Sequence, residues 1–240
     1  TQTIRLKKQE LLSSYHSPVG QSFPASLKDP EGFWTGLAPR YRVWISSRSF
    51  SPRPISFEDL PKLDLPGPSM TISLPLFGTG AFQAAALAAL YGDEKAAALY
   101  ESYVKKGIRI APGNATVRDW VVAGQAELGL TDSDDACGAL RRGAKVNVFL
   151  PTETLLIPGT VGIIKGGPNP AEAKALIDWL LGPETEAALI ESGFSEVALH
   201  PGSPKPCLGL PNPKPLKVGL EEIAAKTEAS AARMKVIFAR

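Results

Sequence analysis

The run GLTDSDDACGAL, residues 129–140, places three carboxylates within four positions: Asp132, Asp134 and Asp135. Acids this close repel one another, and a hard cation such as Fe3+, Ca2+, Mg2+ or Mn2+ would relieve the repulsion through oxygen ligands. The same run also reads as the seam between a strand and a helix. There Asp132 or Ser133 would cap the helix, and acids in its first turn would be stabilised by the helix dipole. Spacing alone leaves capping and ligation both open. The run is not an EF-hand loop, because it lacks the D-x-[DN]-x-[DN]-G pattern and the distant glutamate.

A second candidate is PLFGTGAF, residues 75–82, with Gly78, Thr79 and Gly80 between a predicted strand and a predicted helix. Free backbone N–H groups at a helix start favour an anion, and glycines permit its close approach. The Thr79 hydroxyl would add a donor. A tight turn with Thr79 as the cap is the alternative. The run is neither a Walker loop nor a GxGxxG fingerprint. A third candidate is Asn114 in PGNATV, which is either an N-cap or a residue turned toward a ligand.

Other chemistries find little support. There is no G-x-S-x-G, and neither His16 nor His200 has a nucleophile partner in view. Cys137 and Cys207 lack metal spacing, so a Cys/His zinc site is not expected; they form either one disulfide or two free thiols. The expectation is a binding protein and not an enzyme.

The elements that must position these residues alternate between strand and helix. The 240 residues are 44% hydrophobic and 21% charged, a globular composition long enough for one large domain or two lobes. The net charge of +2 comes from scattered residues, with short basic clusters at Lys7–Lys8, Lys105–Lys106 and Arg141–Arg142 that read as helix ends. No basic stripe interleaves with aromatics, so nucleic acid is not an expected partner. No apolar run is long enough to span a membrane, and no export signal stands at the start of TQTIRLKKQELL.

A short amphipathic helix is predicted from Ile4, Leu6, Leu11 and Leu12, a strand at YRVWISS, and a short helical piece near Phe57 to Leu60. Met70 to Leu74 reads as a strand and Ala81 to Tyr91 as an alanine-rich helix. A second helix follows, with Asp93 as a cap and Lys105, Lys106 and Gly107 as its stop. Strand–turn–helix units follow at Asn114 and at Asp132, then a strand in AKVNVFLP. TLLIPGTVGIIKGG reads as a strand interrupted by Pro158 and Gly159, and two helices flank Gly182 and Pro183. Residues 201–215 hold six prolines and predict a surface connector before a long last helix. The fold class is α/β.

Several runs together carry a resemblance. They are TQTIRLKKQELL with YHSP, DPEGFWTGLAPRYRVWI, SLPLFGTG, APGNATVRDWVVAGQAELGLTDSDDA and IPGTVGIIKGGPNPAEAKALIDWLLGPETEAALIESG. In order and over nearly the whole chain, they resemble bacterial extracellular solute-binding proteins of ABC importers, most of all the ferric-iron-binding type. The resemblance implies the two-lobed fold of the type II periplasmic binding proteins, with a ligand cleft between lobes joined by crossing strands. Residues 1–47 and 155–206 would then form the first lobe and 48–154 the second. Residues 207–240 would be the proline-rich connector and a C-terminal helix packed on the second lobe.

The resemblance further implies that Gly78, Thr79, Gly80 and Asn114 contact an anion or ligand, and that Asp132, Asp134 and Asp135 hold a metal. Fe3+ with a synergistic anion such as phosphate or carbonate is the implied cargo. ABC importer membrane subunits are the implied partners, and the periplasm or cell exterior the implied location. Two departures stand out. Asp134 and Asp135 occupy the slots of a tyrosine pair in iron-binding members, and carboxylates are weaker Fe3+ donors than phenolates, so a different cation, or an anionic or zwitterionic solute, stands as the alternative to iron. The segment that relatives carry before QTIRLK has no match here, so an incomplete first lobe is expected. Its exposed sheet edges would favour a homodimer. A structural or interaction domain that has lost its ligand site is the alternative function.

Overall fold

The computed structural model describes residues 2–51, 53, 55–210 and 213–239. Thr1 and Arg240, at the ends of the predicted first and last helices, and Pro52, Pro54, Pro211 and Asn212 of the proline-rich loops lie outside the described residues.

In chain order the elements are α1 (Gln2–Lys8), β1 (Leu12–Ser13), β2 (Thr35–Ser47), β3 (Met70–Ser73), α2 (Gly78–Tyr91), α3 (Asp93–Lys106), β4 (Arg109–Ala111), α4 (Asn114–Val122), β5 (Leu128–Asp132) and α5 (Ser133–Arg141). They continue with β6 (Val146–Phe149), β7 (Leu156–Val161), β8 (Ile163–Ile164), α6 (Pro170–Leu180), α7 (Pro183–Ser192) and α8 (Leu220–Phe238). The α/β expectation holds, with a short 3-10 helix at Phe57–Lys62 where a short helical piece is predicted.

One long strand organises the sheet. The first half of β2 pairs antiparallel with β7, and its second half lies between β5 and β6, antiparallel to both. Beyond β5 the sheet continues with β3 and β4, and β5, β3 and β4 run parallel. Val43, Trp44 and Ile45 are fully buried on the two faces of β2, as expected for a β-branched and aromatic run in a sheet covered on both sides. The strand begins six residues before the predicted YRVWISS. Gly36, Ala38 and Pro39 read as loop residues, yet they fit because the ladder shifts register between Leu37 and Arg40, where Ala38 takes a positive φ of 44°.

Helix α2 is buried nearly all round because its alanines let neighbours approach closely. Ala84 to Ala88 are buried, and α8 and α3 pack against it. α8 turns Leu220, Ile223, Met234 and Ile237 inward. Helix α1 stops at Lys8 and not near Leu12; Leu12 instead enters the two-stranded ribbon of β1 and β8. Asp93 is the first residue of α3 and not its cap, a position held by Gly92, whereas Lys105, Lys106 and a left-handed Gly107 end the helix as predicted. Pro158 and Gly159 lie within β7, and the break falls at Gly162.

The two cysteines are joined. Cys137 in α5 and Cys207 in the connector form a disulfide across 70 residues. The connector is an ordered surface segment, held also by the amide of Leu208 donating to Glu196 and by a bridge between Thr154 and Pro215.

Candidate functional site

The parallel strands β4, β3 and β5 each lead directly into a helix: α4, α2 and α5 respectively. Because these strands are neighbours and point the same way, the three helix N-termini gather at one edge of the sheet. In open α/β sheets the carboxyl ends of the strands are where ligands bind, and helix N-termini there favour negative charge. Thr79 comes from α2, Asn114 from α4 and Asp132 from the end of β5.

Arg42 of β2 ties these three together. It is 1% exposed and sits opposite Asp132 in the β2–β5 ladder. Its guanidinium donates to Asp132 Oδ1 at 2.6 Å, Asn114 Oδ1 at 2.9 Å, Gln83 Oε1 at 2.9 Å and the Leu130 carbonyl at 3.3 Å. A longer contact of 3.5 Å reaches Thr79 Oγ1. Asn114 Nδ2 donates to Asp132 Oδ2 at 2.9 Å and to Thr79 Oγ1 at 2.5 Å. A buried charge needs a partner and filled hydrogen bonds, and Arg42 and Asp132 supply both to each other. The Thr79 oxygen accepts from two sides, which leaves its hydroxyl proton uncommitted within this network.

None of the capping alternatives is realised. Asp132 does occupy the N-cap position of α5, but its side chain makes no cap bond, because Arg42 and Asn114 take both oxygens. Ser133 Oγ instead accepts from the backbone N–H of Tyr41 at 3.1 Å. Asn114 is the first residue of α4, with Gly113 at the N-cap. Thr79 lies inside α2, whose N-cap is Phe77. Gly78 has a φ of +53° with open space beside it, which suits a turn that a ligand approaches. Gly80 serves packing: a Cβ there would stand 2.8 Å from the Leu74 carbonyl.

Asp134 and Asp135, in the first turn of α5, are partly buried beside this network. One oxygen from each of Asp132, Asp134 and Asp135 lies within 4.8 Å of the others. Arg40 Nε stands 3.5 Å from Asp132 Oδ2 and 3.8 Å from Asp134 Oδ1. Arg118 of α4 reaches Asp135 Oδ1 at 3.2 Å and Asp119 Oδ1 at 2.8 Å. Burial pushes the Asp134 carboxyl up, opposed by Arg40 and reinforced by Asp132. Burial and then the charges of Asp134 and Asp132 push Asp135 up to about 6, against the pull of Arg118. Asp134 Oδ1 and Arg40 Nε are buried atoms without a hydrogen-bond partner, although they face each other as an ion pair.

The structure thus brings Thr79, Asn114, Asp132, Asp134 and Asp135 to one edge. Arg40, Arg42, Gln83 and Arg118 have no part in the sequence expectations. The signal for Arg42 is its position in YRVWISS, where one charge interrupts a buried strand and must have a partner. A cavity of about 230 Å3 opens beside Gly78 and Thr79, walled by Thr3, Pro158 and Thr160. Larger open grooves of about 510 and 360 Å3 lie along β8 and α6 and beside Tyr15, away from the charged network.

Comparison with known proteins places this geometry in context. A family model described as bacterial extracellular solute-binding protein matches residues 28–195. No curated protein matches the chain. Among solved structures, the apo ferric ion-binding protein A of Pasteurella haemolytica superposes with a TM-score of 0.84 at 21% identity, over 98% of this chain and 79% of that one. The ferric binding protein of Campylobacter jejuni gives 0.86 at 18%, over 98% and 80%. AfuA of Actinobacillus pleuropneumoniae, with fructose-6-phosphate bound, gives 0.81 at 18%, over 98% and 78%. At these identities the likeness is one of fold, the two-lobed α/β fold of periplasmic binding proteins. Among the described residues, no helix is long and apolar enough to cross a membrane.

Proposed function

We propose that this chain, which belongs to the bacterial extracellular solute-binding proteins, is the solute-binding component of an ABC-type importer. It works in the periplasm or outside the cell and delivers its solute to the importer's membrane subunits. Its action is binding and not catalysis. Residues 1–47 and 155–206 form one lobe and 48–154 the other, with 207–240 packed on the second. Closure of such lobes on a solute is the working motion of this kind of receptor.

The solute is a small molecule with an anionic group and hydroxyl or amino donors. The observation that carries this reading is the Thr79 hydroxyl. Its oxygen accepts from Asn114 and, at 3.5 Å, from Arg42, so its proton is not needed within the network and can be given to a solute. The amides at the start of α2 stand beside it, with Gly78 leaving room for a phosphate-like group. Asp134 and Asp135 would accept from the donors at the other end of the solute. The fold neighbour with bound fructose-6-phosphate and those named for ferric ion mark two solute types that this architecture holds. The closeness of the three carboxylates is the feature that speaks for the second type, a hard cation such as Fe3+ with phosphate or carbonate, but each of the three is already paired with an arginine, which favours the first. A thermal-shift panel of inorganic phosphate, fructose 6-phosphate, Ca2+ and Fe3+ as its citrate chelate tests the reading. The sugar phosphate is expected to raise the melting temperature most. A flat response to all four would remove solute binding from this account.

A second-copy contact is favoured by one separate observation: Ile164, Leu176 and Trp179 are exposed near the two-stranded ribbon of β1 and β8. Sedimentation showing a clean monomer would dismiss it.

A further inference from the structure

The charges that surround the aspartates bear on what the site selects, and the following rests on the reading that a solute binds at this edge. We infer that Arg40 and Arg118 are specificity-determining residues. As fixed cations they take the place beside Asp134 and Asp135 that a highly charged metal ion would need, so the site selects a solute with hydroxyl or amino donors over a trivalent cation.

The first support is charge. Three carboxylates, Asp132, Asp134 and Asp135, stand among three guanidinium groups, Arg40, Arg42 and Arg118. Asp119, which shares Arg118, leaves one carboxylate in excess, so most of the negative charge is already answered within the protein, and an added trivalent ion would meet three arginines at short range.

The second support is lone-pair supply. A hard cation that draws on all three carboxylates requires an oxygen from each within about 2.0–2.6 Å of one point. Asp132 is already committed, with Oδ1 on Arg42 and Oδ2 on Asn114. Arg118 holds Asp135 Oδ1 and is itself anchored by Asp119. Two aspartates remain, each beside an arginine, and this donor set does not suit Fe3+.

The third support is what is left unfilled. Among the described residues, Asp134 Oδ1 and Arg40 Nε are buried without a hydrogen-bond partner and face each other only as a long ion pair of 3.8 Å. Among the described residues, Asp135 Oδ2 accepts from Thr131 Oγ1 alone, at a long 3.5 Å. Buried acceptors without donors are costly, and a solute O–H or N–H meets that need directly. A carboxylate beside a hydroxylated or aminated solute discriminates strongly, because a solute lacking the donor leaves the acceptor unpaired.

The test uses terbium(III), a hard trivalent probe, titrated by calorimetry at constant pH. The proteins are the wild type, Arg118→Gln and the double variant Arg40→Gln/Arg118→Gln. Circular dichroism confirms that each is folded. The double variant is expected to bind terbium(III) at least tenfold more tightly than the wild type, and Arg118→Gln severalfold more tightly. The single change lies at the rim and keeps the result readable if the double variant does not fold. Equal terbium affinity in the wild type and the folded variants, including no measurable binding in any, overturns the inference. Fructose 6-phosphate titrated in parallel separates the two claims: its failure to bind the wild type counts against the proposed solute, while the terbium comparison still decides the role of the arginines.

Discussion

Arg42 and Asp132 stand opposite each other on adjacent antiparallel strands, and their side chains meet at 2.6 Å in the buried edge of the sheet. Every other polar group of the inner site hangs from this pair. Asn114 spans both members, Thr79 leans on Asn114, and Gln83 closes the far side of the guanidinium. Replacing Arg42 by Met would leave Asp132 buried without its counter-charge. The expected loss is about 3–5 kcal/mol, the cost of breaking a buried ion pair from one side. Urea denaturation of the variant checks this, and a loss under about 1 kcal/mol would mean that water reaches the pair.

Asp135 gives a pH signature. Its carboxyl is pushed from 3.8 up to about 6, chiefly by burial. A folded-state value above the unfolded one means that the native protein binds the extra proton between about pH 4 and 6. Stability therefore falls as pH rises through that window, and the penalty is fully present above it. Asp134 shifts in the same direction. Asp135→Asn is then expected to be more stable than the wild type at pH 8, on the order of 2 kcal/mol, with the advantage fading below pH 4. Melting curves at both pH values check it. A variant less stable than the wild type at pH 8 would mean that the Arg118 pairing outweighs burial.

The disulfide gives a third prediction. Cys137 lies in α5, the helix whose first turn carries Asp134 and Asp135, and its bond to Cys207 closes 70 residues. Loop-closure entropy of that size corresponds to about 4 kcal/mol. Reduction, or Cys137→Ser with Cys207→Ser, is expected to lower the melting temperature markedly. It should also loosen the first turn of α5, read as faster amide hydrogen exchange at residues 133–136. Unchanged exchange there would mean that β5 and Arg42 alone hold the turn.

Much of the framework was readable because it depends on local pattern. The strand–turn–helix units at Gly78, Asn114 and Asp132 follow from β-branched runs that give way to glycine or polar residues and then to helix formers. Their convergence was not readable, because it depends on β5, β3 and β4 lying side by side in parallel, a non-local fact. The capping readings of Asp132 and Asn114 were locally sound. The first fails because Arg42, 90 positions away in the chain, takes an oxygen of Asp132, and the second because α4 starts at Asn114 itself, with Gly113 at the N-cap. Pro158 looked like a strand breaker, yet β7 pairs only with β2 among the described strands, so a missing N–H on its free edge costs no ladder bond. The disulfide was one of two open alternatives, since pairing needs a distance that spacing does not supply.

The central claim is that a solute with an anionic group sits at the helix starts near Thr79. Calorimetric titration of the sugar phosphate into the wild type, Thr79→Val and Thr79→Ser tests it most directly. Valine keeps the shape but removes both the donor and the oxygen that holds Asn114, whereas serine restores the hydroxyl and is expected to bind like the wild type. The account predicts saturable one-site binding by the wild type and at least tenfold weaker binding by folded Thr79→Val. Equal affinity in the wild type and Thr79→Val, or no binding by the folded wild type, would contradict it.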